Sequence, residues 1–151
     1  MRRSLVIVAG TAVVASLVAG CTVAAQAGTD TNPRLIPMTV DGYHFVPDHV
    51  VVSQGETVRF VVTNPTDMAH EVYIGTPAEQ QDDESVHQSA APMDQAKVTS
   101  HMGYGEYLAA YSSIDFVYHF SGAQEVMIGC HLPGHWAKGM KATITVATPG
   151  T

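Results

Sequence analysis

Short runs in which apolar and polar residues alternate dominate the chain from residue 38 onward. In Thr57–Thr63 the apolar Val58, Phe60 and Val62 alternate with polar residues, and Lys141–Ala147 has the same period of two. This period places apolar side chains on one face of a β-strand. Turn-forming residues bound the runs and predict strands over 38–45, 50–53, 57–63, 70–74, 114–120, 126–130 and 141–147. Strands this short and numerous predict an all-β sandwich with Greek-key topology.

The first 37 residues have a different composition. Arg2 and Arg3 precede an apolar stretch over 5–18, an arrangement typical of an export signal and too short to cross a bilayer comfortably. The stretch ends in Leu-Val-Ala-Gly-Cys21, which resembles the lipobox of bacterial lipoproteins. We therefore predict a signal peptide over 1–20, a lipid on Cys21 with a flexible tether over 21–37, and a folded domain over 38–148. A plain secretory signal with an incidental Cys21 is the alternative.

The charge balance argues against some partners. Of seven Lys and Arg residues, five remain without Arg2 and Arg3, and with 14 acidic residues they give a net charge near −9. Such a surface argues against binding of nucleic acid and against adsorption on anionic lipid. We expect an exported monomer that reaches the membrane through the lipid on Cys21 and faces the periplasm or the cell exterior.

Three potential copper ligands lie on one segment near the end of the chain. Cys130, His135 and Met140 are five residues apart, and a thiolate, an imidazole and a thioether suit a soft transition metal, copper above all. A blue-copper site combines two His and one Cys in a plane with a weak axial Met. His70, at the start of a predicted strand, is the best candidate for the second His. We expect no disulfide, because Cys21 and Cys130 each have another use.

These residues, in this order, resemble the cupredoxins, a family of small blue-copper β-sandwich proteins. The similarity runs from about 43 to 146 and includes 45–47, 50–52, 55–60 and 64–70 as well as the ligand segment. The ligand spacing is similar to that of the rusticyanin, auracyanin and sulfocyanin branch and of periplasmic copper-tolerance cupredoxins. The resemblance implies a cupredoxin-like fold and one type 1 copper per chain, held by His70, Cys130, His135 and Met140.

The neighbours of these ligands also have expected positions. We expect the backbone amide of Glu71 to face the Cys130 sulfur. His131 is expected to point away from the metal and not to bind it. Trp136 is expected to pack on the exposed edge of His135, which in the family is the path by which electrons enter and leave.

A long insertion separates two of the predicted strands. Residues 77–113 far exceed a normal hairpin connection, and a short helix over 78–88 is expected there. The insertion holds His87, Met93, His101 and Met102, which are residue types that bind copper. Two interpretations stay open, a second and weaker metal site formed by these four residues, or a solvated loop that covers the sandwich.

Two functions of different kinds agree with these features. The first is an electron-transfer protein of the bacterial cell envelope that shuttles single electrons between membrane redox partners. The alternative is an envelope copper-tolerance protein that sequesters copper or delivers it to copper-handling partners. An enzyme is not expected, because the sequence has no second Cys near Cys130 and no His-x-His pair of the kind a multicopper oxidase needs.

Overall fold

The computed structural model describes residues 26–89, 105–122 and 125–148. Within these ranges the elements are β1 Arg34–Asp41, β2 His44–Val46, β3 His49–Ser53, β4 Thr57–Thr63, β5 His70–Gly75, α1 Pro77–Ser89, β6 Gly105–Leu108, β7 Ser113–His119, β8 Val126–Gly129 and β9 Lys141–Ala147. A 3-10 turn, Trp136–Lys138, lies between β8 and β9. Over the same ranges, no helix has the length and apolar character that a membrane crossing requires.

The strands form two sheets. The four-stranded sheet has the order β2-β1-β4-β7, and the five-stranded sheet has the order β3-β9-β8-β5-β6. β1 runs parallel to β4 and β3 runs parallel to β9, while the other pairs are antiparallel. The predicted all-β sandwich is confirmed.

The core lies where the period-two pattern predicts it. Val58, Phe60 and Val62 of β4 are completely buried, whereas Arg59 between them is exposed. Phe60 stacks on Phe116 of β7 with ring centroids 5.4 Å apart. Each buried side chain of this size contributes about 1.5–3 kcal/mol through removal of apolar surface from water.

The first predicted strand differs from the structure at both ends. Residues 38–45 are divided between β1 and β2, because Gly42 adopts a positive φ of 57° that turns the chain into a hairpin. β1 also begins at Arg34, which pairs opposite Val58 of β4. Residues 34–37 therefore belong to the sheet and not to the predicted tether. Contact begins still earlier, since the Thr57 N–H donates to the Gly28 carbonyl at 3.1 Å.

The described part of the insertion contains two regular elements. The expected helix is confirmed as α1, and its start is fixed by Thr76 and Glu79, because the Thr76 N–H donates to Glu79 Oε2 at 2.7 Å and the Glu79 N–H donates to Thr76 Oγ1 at 3.4 Å. Strand β6 was not predicted, and it pairs with β5 so that Leu108 lies opposite His70. Met93, His101 and Met102 lie outside the described residues.

Candidate metal centre

Three neighbouring strands of the five-stranded sheet carry the predicted ligands at one end. His70 is the first residue of β5, Cys130 directly follows β8, and Met140 directly precedes β9. The Cys130 N–H donates to the Met140 carbonyl at 3.1 Å, which ties the two ends of the ligand segment together. The sheet therefore fixes these backbone positions independently of any metal.

The turn between Cys130 and Met140 sets the position of His135. The His135 N–H donates to the Leu132 carbonyl at 2.9 Å, and the Met140 N–H donates to the His135 carbonyl at 3.2 Å. Gly139 ends the 3-10 turn with a φ of 85°, a conformation that other residues rarely adopt. These local hydrogen bonds form a tight turn, which explains how ligands spaced five residues apart in the chain reach one site.

His70, Cys130 and His135 meet in one buried group. Their potential ligand atoms all lie within 4.8 Å of one another, and Cys130 Sγ is 3.2 Å from His135 Nδ1. The two imidazole centroids are 5.1 Å apart. His70, Cys130 and Met140 are completely buried, and His135 is 8% exposed. The structure thus brings together the Cys and both His residues singled out in the sequence, with Met140 buried beside its turn.

The loop before His70 is held by the side chain of Asn64. Its Nδ2 donates to the carbonyls of Met68 and Ala109 at 2.8 and 2.9 Å. Its Oδ1 accepts from the Thr66 N–H at 3.0 Å and from the Thr66 hydroxyl at 2.7 Å. The Thr66 hydroxyl in turn lies 3.4 Å from His70 Nε2. A single buried amide therefore orients the loop that delivers His70.

His70 presents a free nitrogen in this group. Its Nδ1 is buried and has no hydrogen-bond partner among the described residues. Burial, and after it the neighbouring His135, lowers the pKa of His70 to about 4, so the ring is neutral near pH 7. A buried neutral imidazole with an unused nitrogen is costly unless something binds it, and a metal ion does so.

Cys130 has the surroundings of a metal-bound sulfur. The Glu71 N–H donates to Cys130 Sγ at 3.3 Å, which confirms the predicted contact. Burial raises the pKa of Cys130 to about 12, so the metal-free protein holds a thiol whose proton a metal would replace. Burial, followed by the charge of Lys138, lowers the pKa of His135. Two imidazoles, one thiolate and one thioether fit a type 1 copper ion.

The residues beside the ligands follow the predictions in part. His131 points away from the group, with its Nδ1 2.9 Å from Glu84 Oε2 and its Nε2 2.7 Å from Gln80 Oε1. The expected contact between Trp136 and His135 is wrong. Trp136 packs on the His131 ring at 4.6 Å, because the tight 3-10 turn carries it to the other side of the segment.

The aromatic side chain of Tyr43 contacts His135. It lies edge-on to the imidazole with centroids 5.0 Å apart, and the Lys138 Nζ lies 3.8 Å from the centre of the Tyr43 ring. Sequence reasoning missed this role because Tyr43 is distant in the chain and belongs to no motif.

A second buried group of ligand-type side chains lies under α1. Potential ligand atoms of Glu71, Asp83 and His87 are within 4.8 Å of one another. His87 therefore lies among carboxylates. Because its three predicted partners are outside the described residues, the site of His87, Met93, His101 and Met102 stays a prediction.

The fold and this ligand set define a class of protein, the type 1 copper proteins built on a two-sheet sandwich. The chain belongs to the plastocyanin/azurin family of copper binding proteins, whose family model matches residues 37–147. It is a copper-binding cupredoxin, and the family expected from the ligand spacing is confirmed.

Curated relatives include two copper-resistant cuproproteins called CopI. The chain is 33% identical to that of Rubrivivax gelatinosus over 107 residues, which cover 70% of this chain and 61% of the relative. It is 27% identical to that of Pseudomonas aeruginosa over 137 residues, which cover 75% and 76%. The chain thus spans about three fifths of the length of the Rubrivivax protein.

Solved structures with the same fold include auracyanins. The dithionite-reduced auracyanin of Roseiflexus castenholzii has a TM-score of 0.62 and 21% identity, and the match covers 80% of this chain and 99% of that one. Auracyanin A of Chloroflexus aurantiacus has a TM-score of 0.62 and 18% identity, with 77% and 100% covered. At this level of identity the similarity shows the shared sandwich.

Proposed function

We propose that the protein is a one-electron carrier of the bacterial cell envelope with one type 1 copper bound by His70, Cys130, His135 and Met140. The observation that carries the proposal is the buried meeting of the two His residues with Cys130 at one end of the sheet. A bound copper ion supplies one-electron chemistry by changing between Cu(II) and Cu(I).

The protein groups supply position, dryness and charge. The ends of β5, β8 and β9 hold the ligands in a fixed frame, which limits the rearrangement that a change of oxidation state would otherwise require. The Glu71 N–H, 3.3 Å from Cys130 Sγ, stabilises negative charge on the sulfur. His135, at 8% exposure, is the ligand closest to solvent and is our proposed electron path, next to Tyr43.

The ligand set supports a carrier more than an enzyme. Two imidazoles, a thiolate and an axial thioether fill the coordination positions of a type 1 copper, so a substrate has no open position on the ion. We therefore propose redox proteins, and not a small-molecule substrate, as the partners.

Copper tolerance is the second candidate, supported by the names of the two relatives, both copper-resistant cuproproteins. In that role the protein would sequester or deliver copper, and the redox change would be secondary. The two functions differ in phenotype. If copper tolerance is the main role, deletion in the host is expected to lower growth in copper-supplemented medium. If electron transfer is the main role, deletion is expected to slow respiratory or photosynthetic electron flow at ordinary copper concentrations.

The cellular location is also a proposal. Export through the signal at 1–20 and lipid attachment at Cys21 agree with an envelope role for a copper carrier. The measurement is metabolic labelling with a fatty acid, which should mark the wild-type protein and leave Cys21→Ser unlabelled. An unlabelled wild-type protein would leave the alternative of a plain secretory signal.

The copper assignment is tested by absorption spectroscopy of the purified protein after addition of Cu(II). We expect an intense visible band from thiolate-to-copper charge transfer, absent in Cys130→Ser and shifted in Met140→Leu. His49→Gln is the matched control. The His49 imidazole is exposed on the edge strand β3 and contacts Thr145 of the neighbouring strand β9. A colourless wild-type adduct would reject the proposal.

A further inference from the structure

Helix α1 covers the five-stranded sheet with a polar face. Gln80, Asp83 and His87, which recur at helical spacing, are all buried, with exposures of 0%, 0% and 2%. A surface helix normally buries an apolar stripe. A buried stripe of an amide, a carboxylate and an imidazole therefore requires partners that compensate for lost hydration.

Part of this stripe lacks ordinary partners. Both carboxylate oxygens of Asp83 and the Nε2 of His87 make no hydrogen bond to any described residue. Across from them Glu71 of β5 is also completely buried, and its Oε1 lies 3.7 Å from His87 Nε2. That separation is too long for a hydrogen bond. It agrees with two ligand atoms bound to one ion at about 2.0–2.2 Å each.

The orientation of His87 follows the arrangement typical of a metal ligand. Its Nδ1 lies 3.1 Å from the carbonyl oxygen of Asp83, one helical turn earlier, and 3.3 Å from Oδ2 of the same residue. A ligating His usually donates one ring N–H to a carbonyl or carboxylate, which directs the other nitrogen at the metal. In His87 that other nitrogen is Nε2, the atom that faces Glu71.

We propose that Glu71, Asp83 and His87 form a second metal site, separate from the type 1 centre and specific for a divalent transition-metal ion. Oxygen and imidazole ligands without sulfur suit Cu(II) or Zn(II) and disfavour Cu(I). Two carboxylates balance the charge of such an ion in a buried place. Among divalent first-row ions, affinity is highest for copper, so we expect Cu(II) to bind this site most tightly. Zn(II) is the other ion that we expect to bind.

The site differs from the His- and Met-containing site predicted from the sequence. It shares only His87 with that set, and it takes its other two ligands from β5 and α1. His131 lies beside it, with Nε2 3.8 Å from Asp83 Oδ2, but both its nitrogens contact Glu84 and Gln80. We assign His131 to the wall of the site and not to the ligands.

In the metal-free protein an ion pair occupies the same place. Burial lowers the pKa of His87, but Asp83 and Glu71 raise it to about 9. The ring then carries a proton that the metal would replace. The competing explanation is a permanent ion pair that holds α1 on the sheet. Metal counting and EPR distinguish this ion pair from a metal site.

The test is metal counting and EPR on the purified full chain loaded with Cu(II) and dialysed. We expect wild type to keep one copper that gives the visible band and a second that gives an EPR signal without thiolate character. Pulsed EPR of this second signal should detect a single bound imidazole. Excess Zn(II) is expected to remove the second signal and leave the visible band.

Two variants and a control assign the residues. Asp83→Asn, which keeps the size of the side chain, and His87→Gln should each lower retention of the second copper at least tenfold, with the visible band intact as evidence of folding. His49→Gln should lose nothing. Failure of the type 1 proposal would instead remove the visible band, so the two proposals fail separately.

Three results would overturn the second site. Wild type could retain only the copper that gives the visible band, which would leave the ion pair as the explanation. The second signal could persist in both folded variants. The pulsed spectrum of the second signal in wild type could show two or more imidazoles, a result that needs no variant and holds even if a variant does not fold.

Discussion

Asn64→Ala should be one of the more damaging single substitutions outside the proposed copper ligands. The Asn64 side chain is buried and takes part in four hydrogen bonds, two as donor to the carbonyls of Met68 and Ala109 and two as acceptor from Thr66. It joins the end of β4 to the start of β5, which His70 opens. Alanine removes all four bonds and takes the acceptor from the Thr66 N–H, while the Met68 and Ala109 carbonyls keep the hydroxyl donors of Thr66 and Ser112.

The loss in free energy of unfolding depends on how many of these hydrogen bonds are replaced. A hydrogen bond contributes about 0.5–1.5 kcal/mol net, so four bonds give a range of about 2–6 kcal/mol. The Thr66 hydroxyl retains a contact with the Met68 carbonyl at 3.2 Å, and the loop can admit water, which reduces the loss. We expect the free energy of unfolding of the metal-free protein to fall by about 2–4 kcal/mol.

Urea unfolding followed by circular dichroism measures this loss. With a denaturant slope of about 2 kcal/mol per molar, the middle of the usual range, the midpoint should fall by about 1–2 M. Copper affinity should fall as well, because Thr66 no longer holds the loop of His70. Ser113→Ala is the control, since within the described part of the chain its exposed hydroxyl bonds only to the Thr63 hydroxyl, at 3.0 Å. An Asn64→Ala midpoint as close to wild type as that of the control would contradict this role of the Asn64 side chain.

Two further predictions concern charge and packing. Burial raises the pKa of Glu56, but bonds from Arg34 and two backbone N–H groups lower it below its ordinary value on balance. The Glu56 carboxylate therefore stabilises the fold above pH 4.5, and this contribution is lost as the pH falls through the pKa of the folded state. Glu56→Gln should lower the free energy of unfolding by about 1–3 kcal/mol at pH 7 and make stability depend less on pH in the acid range. A Cβ at Gly129 would lie 2.3 Å from Gln80 Oε1, so Gly129→Ala should cost about 1–3 kcal/mol in thermal unfolding. A Cβ at Gly122 would meet no atom of the described residues within 4 Å, so Gly122→Ala should be neutral. Equal acid profiles for wild type and Glu56→Gln, or equal unfolding of the two glycine variants, would contradict these expectations.

Much of the fold and of the copper group was predictable because the signals are local. Cys130, His135 and Met140 lie within one segment, and their residue types are uncommon together. The strands β4 and β9 alternate with a clear period of two over their whole length. In both cases neighbours in the chain carry the information.

The features that were missed depend on contacts between distant segments. β6 contains only one buried residue, Leu108, so no alternation distinguishes it from a loop until it pairs with β5. The early start of β1 depends on parallel pairing with β4, which hydropathy does not encode. The face of α1 that is buried is polar, so the pattern of the helix suggests exposure, and Glu71 gave no sign that it would lie opposite that face.

The two metal groups share a sheet because successive residues of a strand point to opposite faces. His70 and Glu71 are neighbours on β5, and Cys130 and His131 are neighbours just after β8; one of each pair faces the copper group and the other faces α1. The Glu71 carboxylate accepts from the His131 N–H at 3.0 Å, and the Glu71 N–H donates to Cys130 Sγ. These two hydrogen bonds, each donated by a backbone N–H, link the two groups. Changes in α1 should consequently leave the visible copper band in place, whereas Cys130→Ser should abolish it.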